Sequence, residues 1–181
     1  MRRRIVEGIG MAVVAVFGAA CGGEGDIRSV EEALTTNWVQ LKAVHSNKCM
    51  EVWGSATYNG ANVQQWSCHG GDNQKWRFEV VGTGEFKYRV RNKNSSKCLD
   101  VAGSGTSNGT NVDQYTCYDS YENQRFSLTP VGGGSSYELR PLHVPLHDKC
   151  VEVNGASTAN GANIDIWSCD TGNHQRWLIV E

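Results

Sequence analysis

The 181-residue chain reads as all-β: a barrel of three homologous four-stranded repeats with pseudo-threefold symmetry. Three observations lead to that reading. One block of residues occurs three times, with first cysteines at 49, 98 and 150, so the period is 49 and then 52 residues. Such a period marks a supersecondary unit that shares its core with its copies. Strand signals outnumber helical ones, as short runs that alternate apolar and polar. Asn-Gly also recurs at one point of each block, at 59–60, 108–109 and 160–161, and supplies the positive φ angles that tight turns need.

At the N-terminus, Arg2, Arg3 and Arg4 precede a twelve-residue apolar stretch, Ile9 to Ala20, that ends in small residues before Cys21. This is the layout of a secretory signal over residues 1–21; a membrane-spanning helix needs roughly 20 apolar residues. The competing reading is an N-terminal core helix, but all downstream organisation starts after Asn37. Gly18-Ala19-Ala20-Cys21 resembles a bacterial lipoprotein cleavage box, in which that Cys is lipidated, although Gly18 stands where the pattern usually has Leu. The resemblance implies export and anchoring at the cell surface or in the periplasm. Without lipid the protein would be secreted, with Cys21 a stray thiol. Residues 22–37 then form a tether, in which Ser29 and Glu32 could cap one short turn.

The domain proper covers 38–181, in repeats of about 38–85, 86–136 and 137–181. Strands are predicted at Trp38–Val44, Met50–Trp53, Val63–Trp66 and Trp76–Val80. Phe86–Val90 and Tyr137–Leu139 open the next two units. Each unit holds about four strands, twelve in all. The closing aromatics Trp76, Phe126 and Trp177 are expected in the core, because large aromatics on a final strand pack.

Six of the seven cysteines belong to the repeat, two per copy and 19 apart: Cys49 and Cys68, Cys98 and Cys117, Cys150 and Cys169. Equal spacing argues for one disulfide per repeat in an oxidising compartment. No CxxC or Cys/His cluster has metal-ligand spacing, and no cofactor motif is present. The net charge is −2; residues 1–21 carry three Arg and one Glu, so the remainder is more acidic still, at −4. Nucleic-acid binding would need a basic stripe, and membrane contact is expected only through Cys21.

The residues Cys-x-[Asp/Glu]-Val, Asn-Gly-x-Asn-[Val/Ile], aromatic-x-Cys and a closing Gln-x-Trp (Gln-x-Phe in the second copy), in order three times, resemble the ricin B-type lectin domain, or family 13 carbohydrate-binding module. The resemblance covers about 38–181. It implies a β-trefoil that binds sugars or polysaccharide of galactose or xylose type and is not an enzyme. A sugar needs a carboxylate or amide for its vicinal hydroxyls and an aromatic face under its C–H groups. Each repeat offers both, 15 residues apart. The resemblance places contacts on Asp100, Asp113, Tyr115 and Asn123 in the second repeat. In the first they are Glu51, Gln64, Trp66 and Asn73, with His69 as an extra contact; Tyr118 falls where His69 does. The third offers Glu152, Asp165, Trp167 and His174.

Departures rank the sites. Only Asp100 keeps the usual Asp, Asp113 and Asp165 replace an amide, and His174 replaces an Asn, so the second repeat leads and the third is weakest. The acids are read as outside the core, with a solvated turn carboxylate as the plain alternative; for the aromatics it is a half-buried residue sealing the disulfide. Asn62, Asn111 and Asn163 read as turn formers, and the Gln before each closing aromatic as holding local backbone. His143-x-x-x-His147 would suit zinc on a helix, but Pro141 and Pro145 forbid one. No nucleophile elbow or phosphate-cradling loop is present, and the acids are expected far apart on three lobes. The rival function is a trefoil scaffold that binds a protein, such as a protease inhibitor.

Overall fold

A computed structural model of the protein describes residues 35–82 and 87–181. The readings of the signal segment, Cys21 and most of the tether lie outside the described residues, as does the start of the strand expected at Phe86. Twelve strands are present: β1 (Gln40–Ala43), β2 (Cys49–Val52), β3 (Ala61–Trp66), β4 (Trp76–Val80), β5 (Lys87–Asn92), β6 (Cys98–Val101), β7 (Thr110–Tyr115), β8 (Phe126–Val131), β9 (Ser136–Pro141), β10 (Lys149–Val153), β11 (Ile164–Ser168) and β12 (Trp177–Val180).

Six of them close a barrel. β1 pairs with β12, β12 with β9, β9 with β8, β8 with β5 and β5 with β4, all antiparallel. A bridge between Val39 and Trp76 returns β4 to the start of the chain. The alternation seen in sequence fits this wall: in β1 Leu41 and Ala43 point in, and in β4 Trp76 and Phe78 do. Trp76, Phe126 and Trp177 are 0%, 0% and 1% exposed. The indoles also satisfy their N–H groups, Trp76 on Met50 O at 3.1 Å and Trp177 on Val151 O at 3.0 Å, so a polar atom enters the core without an unpaired cost.

The other six strands form three hairpins, β2–β3, β6–β7 and β10–β11. Gly60, Gly109 and Gly161 turn within them with φ of 78°, 81° and 82°, as the Asn-Gly pairs require. The hairpins join in a second ring: Asn62 lies opposite Asp113, Asn111 opposite Asp165, and Asn163 opposite Gln64. This is the expected β-trefoil, with its threefold symmetry visible in the register. Asn62, Asn111 and Asn163 are not turn formers. Asn62 donates to Asn163 and Asn163 to Asn111, each at 2.9 Å, so the three amides meet where the hairpins converge.

The three disulfides pair as expected, Cys49–Cys68, Cys98–Cys117 and Cys150–Cys169. Each ties the first strand of a hairpin to the loop beyond the second.

Candidate functional site

Strand register builds each site. Residues two apart on a strand share a face, so Cys49 and Glu51 sit opposite Trp66 and Gln64. Likewise Cys98 and Asp100 face Tyr115 and Asp113, and Cys150 and Glu152 face Trp167 and Asp165. A short 3-10 turn then adds the residue before the closing Gln, namely Asn73, Asn123 or His174. All the predicted residues of each repeat are thereby brought together.

The acids are not outside the core. Glu51, Asp100 and Glu152 are 4%, 4% and 3% exposed, on strands and not on turns, because the closing Gln of each repeat donates to them. Gln74 reaches Glu51 Oε2 at 2.9 Å, Gln124 reaches Asp100 Oδ2 at 2.9 Å, and Gln175 reaches Glu152 Oε2 at 2.6 Å. The same Gln side chains hold local backbone, as expected: they donate to Ser67 O, Thr116 O and Ser168 O and accept from the amides of His69, Tyr118 and Asp170. One side chain thus fixes the acid, the aromatic strand and the loop. The rings stay exposed: Trp66 40%, Tyr115 37% and Trp167 40%. A buried acceptor under a half-open aromatic rim can take a ligand's hydroxyls and its apolar face together.

The three sites differ. In the first, Gln64 donates to Glu51 Oε1 at 2.9 Å and Asn73 donates to Val52 O at 3.1 Å. The amide of Gly71 donates to His69 Nδ1 at 3.1 Å, so Nε2 carries the proton and points at Glu51 Oε2, 3.2 Å away. In the second, Asn123 donates to Asp100 Oδ1 and Val101 O, both at 2.9 Å. Asp113 faces Asp100 with its buried Oδ1 unpartnered. Burial first, and then the Asp100 charge, push its carboxyl up to about 7. Burial raises Asp100 as well, against the Gln124 and Asn123 amides that lower it.

In the third, Asp165 is 1% exposed and faces Glu152. Asn154 holds Asp165 Oδ2 at 2.6 Å, while its Oδ1 has no partner. His174 Nε2 lies 3.4 Å from Glu152. Burial raises both carboxyls. In two repeats a second carboxyl therefore faces the first across the hairpin.

Several contributors had no signal within a single repeat. The Asn of each Asn-Gly turn caps the next unit: Asn59 accepts from Thr116, Asn108 from Ser168, and Asn160 from Ser67. Gly161 and Gly109 sit against the rings of Trp66 and Trp167. Trp53, just after Val52, is 54% exposed beside the first site, and Tyr118 and Tyr121 are each 43% exposed beside the second. Tyr118, directly after Cys117, is the one of these three aromatics that the sequence marks. Among the described residues, the one grouping of metal-ligand atoms is Glu138 with Cys150 and Cys169, whose sulfurs are consumed in their disulfide.

A family model for ricin-type β-trefoil lectin domain-like proteins matches residues 29–115, 87–167 and 122–181. Among solved structures the chain is similar to a designed threefold-symmetric protein, ThreeFoil, with 39% identity and a TM-score of 0.73, over 80% of this chain and 98% of that one. It is also similar to an exo-β-1,3-galactanase from Clostridium thermocellum, with 28% identity and a TM-score of 0.72, over 80% of this chain and 30% of the enzyme. Over 57 residues it is 33% identical to the β-agarase AgaB34 of Agarivorans albus, 31% of this chain and 13% of that enzyme.

Proposed function

Because this chain belongs to the ricin-type β-trefoil lectin domain-like family, we propose that it is a non-enzymatic carbohydrate-binding protein. It binds galactose- or xylose-type sugars, or polysaccharide built from them, through up to three shallow sites. The observation that supports this reading is the unit of buried acid, anchoring Gln and exposed ring, present at Glu51, Asp100 and Glu152. A scaffold that binds a protein has no use for the same polar unit three times.

Asp100 with Tyr115 is the leading site, since it alone keeps the Asp that the resemblance expects, with both oxygens held by amides and an open ring above. The first site, with Glu51, Gln64, Trp66, His69 and Asn73, follows closely. The third is weaker, because His174 and Asp165 crowd Glu152. The family match to enzymes of polysaccharides spans only a small part of their length, which fits a module that holds a glycan chain and leaves cleavage to others.

Export and a lipid anchor at Cys21 complete the proposal, resting on the sequence of residues 1–21 alone. A glycan array with free galactose and xylose as competitors tests the binding reading. Retention that one of the two sugars displaces is expected, and no retention on any neutral glycan would overturn it.

A further inference from the structure

We infer that the second site accepts two or more consecutive units of a neutral glycan chain, laid along a strip of tyrosines, while the other two sites take a single sugar. The inference rests on the proposed lectin function and extends it to the class of ligand.

The strip begins at Tyr115. Its ring centroid lies 6.5 Å from that of Tyr118, and Tyr118 lies 4.7 Å from Tyr121, with neighbouring planes tilted by 42° and 44°. All three rings are exposed, at 37%, 43% and 43%. Three of the six tyrosines in the chain thus form one row at this site.

The loop is built to present them. From the second cysteine to the closing Gln it runs from 117 to 124, one residue longer than 68–74 or 169–175. The extra residue permits a turn in which the Tyr121 amide donates to Tyr118 O at 3.2 Å, and this brings the two rings at its ends together. Arg89 grips Asp119 at 2.6 Å, and Arg125 grips Glu122 at 2.5 Å and also the Asp119 carbonyl. A braced turn loses little freedom when a ligand lies on it.

The first and third repeats close the same space. His69 stands where Tyr118 does and turns inward onto Glu51. Gly71 and Gly172 replace Tyr121 as the residue before the 3-10 turn. A Cβ on Gly71 would meet the His69 ring at 2.7 Å, and one on Gly172 would meet the His174 ring at 2.3 Å. A side chain at either position would have to displace that ring.

A tyrosine offers an apolar face for C–H groups and a hydroxyl for hydrogen bonds, which suits successive sugars. The strip continues from a site floored by Asp100, with Asp113 across the hairpin, and the negative charge of Asp100 disfavours an anionic glycan. Tilted rings follow a chain that turns from unit to unit.

The test is calorimetry with xylose to xylotetraose and galactose to β-1,3-galactotriose, in a Trp66→Ala/Trp167→Ala background that leaves only the second site. Affinity is expected to rise with chain length. Tyr118→Ala/Tyr121→Ala is expected to erase that rise, roughly two- to tenfold per ring, and to cost monosaccharide affinity much less than Tyr115→Ala does. The Phe variants should retain most of it. A chain-length gain that survives the double Ala change, or no gain at all, overturns the inference and leaves the lectin function standing. Failure of the unmutated protein to bind either series, or to be retained on any glycan, overturns both.

Discussion

Asp113 shows how one side chain sets the behaviour of a site. Its counterpart Gln64 donates to Glu51 across the hairpin, whereas Asp113 faces Asp100 and can donate only when protonated. Its carboxyl is pushed from 3.8 to about 7 by burial and by Asp100. A raised acid is protonated in the folded chain and ionised in the unfolded one between those values, so its contribution to stability falls as pH rises through that window. Asp113→Asn is therefore expected to raise the melting temperature at pH 8, leave it nearly unchanged at pH 4, and flatten the profile between. An unchanged profile would show that Asp113 is not held against Asp100. At Asp100 itself, truncation to Ala would strand the buried amides of Gln124 and Asn123 and cost about 1–3 kcal/mol of stability as well as binding. Denaturant unfolding beside calorimetry measures both losses. Asp100→Asn keeps the shape but turns one of the two acceptors into a donor facing an amide donor, so its stability is measured beside its binding in the same way.

The hairpins are the elements that turn a repeat into a site. Their acids, rings and disulfides were legible in the sequence because all lie within about 25 residues of one another and recur in register. What could not be read is how one hairpin uses another. Asn59 reaches Thr116, and Asn160 reaches Ser67, across 57 and 93 residues. Spacing within a repeat carries no trace of such contacts. Asn62, Asn111 and Asn163 read as turn formers in the sequence for the same reason, since their side-chain partners lie in other repeats. Asn163 both donates to Asn111 and accepts from Asn62. Asn163→Ala is expected to lose about 1–3 kcal/mol by leaving both partners short, measured by denaturant unfolding. Opening one disulfide, as in Cys98→Ser/Cys117→Ser, removes a cross-link spanning 19 residues and is expected to cost roughly 3 kcal/mol. It should also loosen the Tyr118 loop and weaken the second site more than the others.

At the scale of the whole molecule, threefold repetition does two things. It lets units that cannot close alone share one core around Trp76, Phe126 and Trp177, and it holds the three candidate sites on a single body. One shallow site gives weak affinity, of the order of 10 µM to 1 mM. Several sites on one body raise retention on a polymer well beyond that when the spacing fits. The barrel and the twelve strands followed from the triple block, and the grouping of candidate residues from the family resemblance it carries. The inequality of the sites did so only in part, because it depends on where His69, His174 and the longer tyrosine loop fold. The central claim, that the ring over a buried acid is a sugar platform, is tested most directly by Trp66→Ala/Tyr115→Ala/Trp167→Ala, measured by depletion from solution onto a glycan that retains the unmutated protein. These rings are partly exposed, so a native circular dichroism spectrum is expected, together with loss of about 0.5–1.5 kcal/mol per site beyond the lost contact area and near-complete loss of retention on the polymer. Undiminished retention by a natively folded triple variant would contradict it.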